Sequence, residues 1–243
     1  MTYCVAVLVD EGIVFCSDSR TSAGVDQINT YTKMFRFGQD GKRQFVILSA
    51  GNLATTQAVI DRLAKDIAHN TKVNLYTVAD LHEAADYIGK LSVEQQKKTG
   101  GTAAYESTFI IGGEVLGSTP QLLLIYPQGN HITASTLTPF LQIGESKYGK
   151  PILDRIITSK TDLHTVALCS LVSMDSTMRS NLTVGPPIDI QIYRANSLMP
   201  GEYYHLESDS EYLKNINLAW NERMVESFTS LPPLDSSLAV DQK

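Results

Sequence analysis

Thr2-Tyr3-Cys4-Val5-Ala6-Val7-Leu8-Val9, then Asp10-Glu11-Gly12, then Ile13-Val14-Phe15-Cys16-Ser17-Asp18: two apolar, β-branched runs meet at an acidic turn that ends in glycine. Residues 3–9 and 13–18 read as the strands of a hairpin, with glycine where a left-handed residue is wanted. If residues 10–12 all belong to the loop, Val9 faces Ile13, Cys4 faces Asp18 and Thr2 faces Arg20. Alternation then puts Thr2, Cys4, Asp18 and Arg20 on one face, with Thr2 and Asp18 diagonal neighbours roughly 7–8 Å apart. A two-residue loop would shift this register.

Removal of Met1 makes Thr2 the N-terminus, so one residue carries both a hydroxyl nucleophile and an α-amine. A hydroxyl is a weak nucleophile near neutral pH and needs an adjacent base, for which an N-terminal amine is one known solution. Such an amine titrates near ~8 when unperturbed, which suits proton transfer. A nearby lysine would push that amine lower and a carboxylate would hold the lysine in place. Lys33 and Asp18 are the candidates for these two tasks. Taken singly, Asp18 and Arg20 could equally be a surface ion pair at a strand end.

The run from Thr2 to Val7, with Phe15-Cys16-Ser17-Asp18-Ser19-Arg20 and Lys33, resembles the opening of proteasome β-type subunits and of the bacterial HslV-type peptidase. The form Ser17-Asp18-Ser19-Arg20-Thr21-Ser22-Ala23-Gly24-Val25-Asp26 is similar to Anbu, the bacterial proteasome-related family, and the likeness extends to about residue 227. The resemblance implies that Thr2 is the nucleophile, that Asp18 and Lys33 are the charge pair tuning it, and that Arg20 is a structural neighbour. Ser49-Ala50-Gly51-Asn52 follows a strand and opens a helix, and by the same resemblance the Gly51 amide belongs to the oxyanion hole; it also reads simply as a tight turn. Relatives carry Gly-Ser-Gly before a helix where this chain has Gly144-Glu145-Ser146. Either Glu145 or Ser146 takes the serine's place, and Ser146 is preferred. Relatives also carry Asp-x-x-Ser-Gly-Gly; here Asp175 matches and Ser180 is the nominal serine.

The 243 residues are 43% hydrophobic and 19% charged, which suits a globular chain with a substantial core. A net charge of −6 with scattered basic residues argues against nucleic acid as a partner. Cys4, Cys16 and Cys169 are odd in number and sit in apolar runs, so they read as reduced core residues. The five histidines lack metal-ligand spacing, and the chemistry needs no cofactor. The start lacks the basic region of a signal peptide, and no apolar run approaches the roughly 18 residues of a membrane span. These features predict a cytoplasmic protein with no membrane partner.

Periodicity predicts further strands near 33–37, 44–50, 107–113, 121–127, 131–135, 188–192 and 202–206. Helices are expected near 52–69 (cap Asn52), 78–97 (starting at Thr77), 149–158 (opened by Pro151), 162–178 and 210–227 (cap Ser208). Strand blocks followed twice by helix pairs suit stacked sheets with helices outside. The family resemblance implies the α+β, four-layer αββα sandwich of N-terminal-nucleophile hydrolases, as one domain over 1–230 with a mobile tail over 231–243.

The leading functional expectation is a threonine-type endopeptidase acting on peptides or unfolded proteins through an acyl ester on Thr2. The alternatives are a noncatalytic assembling subunit and an amidase for small amides or isopeptides. Retention of Thr2, Asp18 and Lys33 together argues against the scaffold. The resemblance also implies a homo-oligomer, as a ring or open spiral; whether an ATPase unfoldase feeds it is a question the sequence leaves open.

Overall fold

The computed structural model describes residues 2–22 and 28–234. Met1, residues 23–27 and residues 235–243 lie outside it, including Ala23 to Asp26 of the motif and most of the expected tail. Two compact units are distinguished, Met1–Ser208 and Asp209–Lys243.

The opening hairpin forms, but with a shorter loop than expected. Strands β1 (Tyr3–Val9) and β2 (Gly12–Asp18) are antiparallel, with Val9 opposite Gly12, Leu8 opposite Ile13 and Cys4 opposite Ser17. Only Asp10 and Glu11 are loop residues, so the register is shifted by one from the predicted pairing of Cys4 with Asp18. Gly12 belongs to the strand because β2 there passes close to another backbone. At φ +148°, a Cβ on Gly12 would lie 2.0 Å from the Tyr193 carbonyl oxygen. One step beyond the last ladder pair, Asp18 stands by Tyr3, whose N–H donates to its carboxylate at 3.0 Å.

Along the chain follow β3 (Arg20–Ser22) and β4 (Ile28–Thr30), a small two-stranded sheet, then β5 (Met34–Gln39), β6 (Arg43–Gly51), α1 (Leu53–Ala68) and α2 (Leu81–Lys98). After these come β7 (Ser107–Val115), β8 (Gln121–Ile125), β9 (His131–Thr133), β10 (Phe140–Gly144), α3 (Ser146–Ile156) and α4 (Leu163–Ser180). Strands β11 (Ile188–Arg194) and β12 (Glu202–Leu206) complete the first unit, and α5 (Glu211–Thr229) lies in the second.

Two five-stranded sheets result, ordered β10-β1-β2-β11-β12 and β5-β6-β7-β8-β9. Alternation sends Cys4, Ala6, Ile13 and Phe15 of the first sheet against Val46, Leu48, Ile110 and Leu122 of the second, which makes the inter-sheet core. The opposite face of the second sheet, with Phe45, Ile47, Phe109 and Ile111, packs on Val59 and Leu63 of α1 and on Leu81, Ala84, Ala85 and Ile88 of α2. Helix α4 covers β1, β2 and β11, and α3 packs on α4. This is the four-layer αββα sandwich.

Helix starts are set by side chains that satisfy otherwise orphaned amides. Asn52 caps α1 by accepting from Thr55 N–H at 3.1 Å. Helix α2 begins later than predicted, because Asp80 is the cap, accepting from Glu83 N–H at 2.8 Å. Thr77 instead accepts from Asn74 N–H in the preceding turn. Pro151 lies inside α3, which starts five residues earlier, and α5 is capped by Ser210 in place of Ser208.

Candidate active site

Lys33 follows β4 and is anchored to the second sheet, its carbonyl accepting from Ser49 N–H at 3.0 Å. Its side chain reaches across to the first sheet, where Nζ donates to Asp18 Oδ1 at 2.7 Å and to the Arg20 carbonyl at 2.6 Å. Both charged groups are buried, Asp18 completely. Asp18 also accepts from Tyr3 N–H and, at 3.2 Å, from Gly185 N–H. Burial pushes its carboxyl above the usual carboxylate range, and the Lys33 ammonium and the two amides oppose that push.

Thr2 is half-buried just ahead of β1. Its carbonyl accepts from Glu145 N–H at 2.8 Å, so the turn after β10 holds the chain start. Gly144, at φ +80°, is required there: a Cβ would stand 1.9 Å from the Thr2 carbonyl oxygen. Behind Thr2, the buried Tyr3 hydroxyl lies 2.6 Å from Ser173 Oγ and accepts from Gln142 Nε2 at 2.6 Å.

A cleft of about 670 Å³ is lined by Thr2, Thr21, Tyr31, Lys33, Ser49, Gly51, Asn52 and Glu145 among others. Such a volume is that of an ordinary ligand site. Gly51 ends β6 at φ +107°, where a Cβ would strike the Glu106 carbonyl at 2.4 Å. The structure thus brings Thr2, Lys33 and Gly51 to one cleft, with Asp18 behind Lys33.

The remaining candidates lie elsewhere. Arg20 opens β3 and donates through Nη1 to the Leu182 carbonyl at 2.8 Å, with Gly185 against its guanidinium. Ser146 is the first residue of α3, and the cleft lining includes its neighbour Glu145 instead. Asp175 is half-buried within α4, and Ser180 is exposed at that helix's last position. Neither lines the cleft. The three cysteines are buried, and burial raises each thiol, that of Cys169 to about 12, so none has thiolate character. Among the described residues no group of three or more His, Cys, Asp or Glu is placed to hold a metal ion, and no helix is long and apolar enough to cross a membrane.

Residues 2–185 match the family model described as proteasome subunit. Anbu, the ancestral beta-subunit, from Yersinia bercovieri is 43% identical, covering 96% of this chain and 100% of that one with a TM-score of 0.92. The chain belongs to the proteasome subunit family, on its Anbu branch. A structure described as the helical assembly of the Anbu complex from Pseudomonas aeruginosa is 42% identical, with 98% and 100% covered and a TM-score of 0.93. Anbu from Hyphomicrobium sp. strain MC1 is 41% identical, with 96% and 100% covered and a TM-score of 0.89. No curated protein sequence matches the chain. The kinship makes the chain a proteasome-like hydrolase of the N-terminal-nucleophile kind.

Sequence reasoning did not single out Tyr3, Gly185 or Gln142. Two of these act at the site through backbone amides, which leave no side-chain signature. Gln142 lies on β10, a strand the periodicity did not reveal.

Proposed function

We propose that the chain is a threonine peptidase in which Thr2, freed of Met1, attacks a peptide carbonyl. The observation that carries this reading is the buried Lys33–Asp18 pair at 2.7 Å, on a lysine that lines the same cleft as Thr2. An ammonium has three donors. Asp18 and the Arg20 carbonyl occupy two, which leaves one for the Thr2 hydroxyl oxygen. In the first step the α-amine takes the hydroxyl proton as Thr2 Oγ1 bonds to the carbonyl carbon. The oxyanion is met by the Gly51 N–H, an interaction of the kind worth several kcal/mol in a transition state. Collapse breaks the C–N bond, the leaving amine takes the proton back, and water then hydrolyses the ester.

The natural substrate is a peptide or an unfolded segment, and the active form is a homo-oligomer, a reading supported by the helical assembly of the Pseudomonas aeruginosa relative. The test combines intact mass with labelling by a threonine-directed electrophile. Met-free wild type should gain one probe mass on Thr2, and Thr2→Ala none. Labelling that survives Thr2→Ala, or a chain that keeps Met1 and still cleaves, would sink the proposal.

A further inference from the structure

Of the described residues lining the cleft only Lys33 and Glu145 carry a charged side chain. Their situations differ. The Lys33 ammonium gives two of its three donors to Asp18 at 2.7 Å and the Arg20 carbonyl at 2.6 Å, and the Asp18 carboxylate offsets its charge behind the cleft. Glu145 occupies the cap position of α3, yet its side chain makes no capping hydrogen bond to that helix, and the residue is half-buried. Its backbone is fixed beside the nucleophile through Glu145 N–H to the Thr2 carbonyl at 2.8 Å. A free Thr2 amine could offset the carboxylate while protonated. In the reactive form that amine is neutral, and the carboxylate stands alone.

The rest of the lining is uncharged: hydroxyls of Thr21, Tyr31, Thr32 and Ser49, the amides of Asn52 and Gln57, and apolar surface that includes Phe35, Ala50 and Leu53. Walls of this makeup can pack the aliphatic stem of a long side chain and leave its charged end to be matched by a carboxylate. A single uncancelled charge between low-dielectric walls focuses its field on whatever enters. From this we infer that Glu145 makes the cleft select substrates bearing a cationic side chain, lysine or arginine, next to the scissile bond, and reject acidic ones. The inference rests on the cleft being the substrate site of the proposed hydrolase. It makes Glu145 a specificity residue in addition to a backbone support for Thr2.

Two measurements separate this from the catalytic reading. In the first, Thr2→Ala binds three fluorescent peptide amides that differ at one position, lysine, norleucine or glutamate, and anisotropy gives their affinities. The lysine peptide should bind about tenfold tighter than the norleucine peptide at low salt, and the glutamate peptide weaker than norleucine by a similar factor, each step the size of one charge pair ~10 Å apart across an effective dielectric near 20. The preference should shrink in 0.5 M salt and collapse towards one in Thr2→Ala combined with Glu145→Gln. Equal affinities, or a ratio unchanged by Glu145→Gln, would overturn the inference. In the second, the norleucine peptide bearing a threonine-directed electrophile is given to wild type. Failure to label there counts against Thr2 as nucleophile, while the binding series still decides the role of Glu145.

Discussion

Asp18 and Lys33 show how one pair can serve structure and chemistry together. Removing one partner of a buried pair leaves the other charge uncompensated, at a cost of about 3–5 kcal/mol, whereas replacing both can be nearly neutral. Lys33→Met alone should therefore destabilise the chain by about that amount in urea unfolding, and adding Asp18→Asn should recover most of it. Labelling of Thr2 should be lost in both. Recovery of labelling with stability would show that the pair is only structural. His205 gives a separate pH test. Its imidazole is raised, first by the hydrogen bond to Asp189 at 2.6 Å, with Glu207 adding to it and desolvation opposing. A group raised in the folded state contributes stability that is fully present below its unfolded pKa, ordinarily 6.5, and is lost as pH rises through the folded value. The melting temperature of wild type minus that of His205→Gln should be positive at pH 5.5 and shrink above neutrality. A constant difference would mean that the imidazole is not charged when it pairs.

At the scale of elements, two turns decide whether the nucleophile is presented. Gly144→Ala would set a methyl against the Thr2 carbonyl and a side chain at positive φ, costing about 1–3 kcal/mol. It should slow Thr2 labelling far more than it lowers the melting temperature; parallel losses would indicate general unfolding instead. The α1 cap makes a graded comparison. Asn52 accepts from Thr55 N–H and also donates to the Ala104 carbonyl at 3.0 Å, so it ties the Gly51 turn to the segment before β7. Asn52→Ala and Asp80→Ala should each cost about 1 kcal/mol, but only the former should slow labelling. The same elements explain what could be read beforehand. Helices α1, α2 and α4 were legible because their apolar stripes are long, and the Asp18 and Lys33 candidates because charge inside a β-branched run is conspicuous. The hairpin register was misread because Gly12 looks like a loop residue, yet stands in the strand where the Tyr193 carbonyl approaches it; a slip of one residue changes every partner. Strand β10 was missed because five residues, Phe-Leu-Gln-Ile-Gly, carry too little pattern. The Gly144-Glu145-Ser146 turn is visible in the sequence, but its Glu145 N–H contact with the Thr2 carbonyl joins residues more than a hundred positions apart and leaves no local pattern.

For the whole molecule, the inter-sheet core accounts for the fold of the first unit, and the second unit raises a different question. Helix α5 has no buried residue, and Leu218, Met224, Val225 and Phe228 on it are all exposed, Phe228 by 75%. Several large apolar groups exposed on one helix mark an interaction surface more often than solvent-facing decoration. In the proposed homo-oligomer such groups would be covered by neighbouring copies. Sedimentation velocity on the full chain should then show a species of several subunits, and Val225→Glu with Phe228→Glu should lower its mass while circular dichroism stays unchanged. Because neither position is among the described residues that line the Thr2 cleft, electrophile labelling of the dissociated variant also tells whether one copy is a complete active site. Retained labelling makes assembly a matter of access, and lost labelling makes it a condition of catalysis. If the double variant keeps its full mass, α5 is not the associating face, and the oligomer must be built on the first unit.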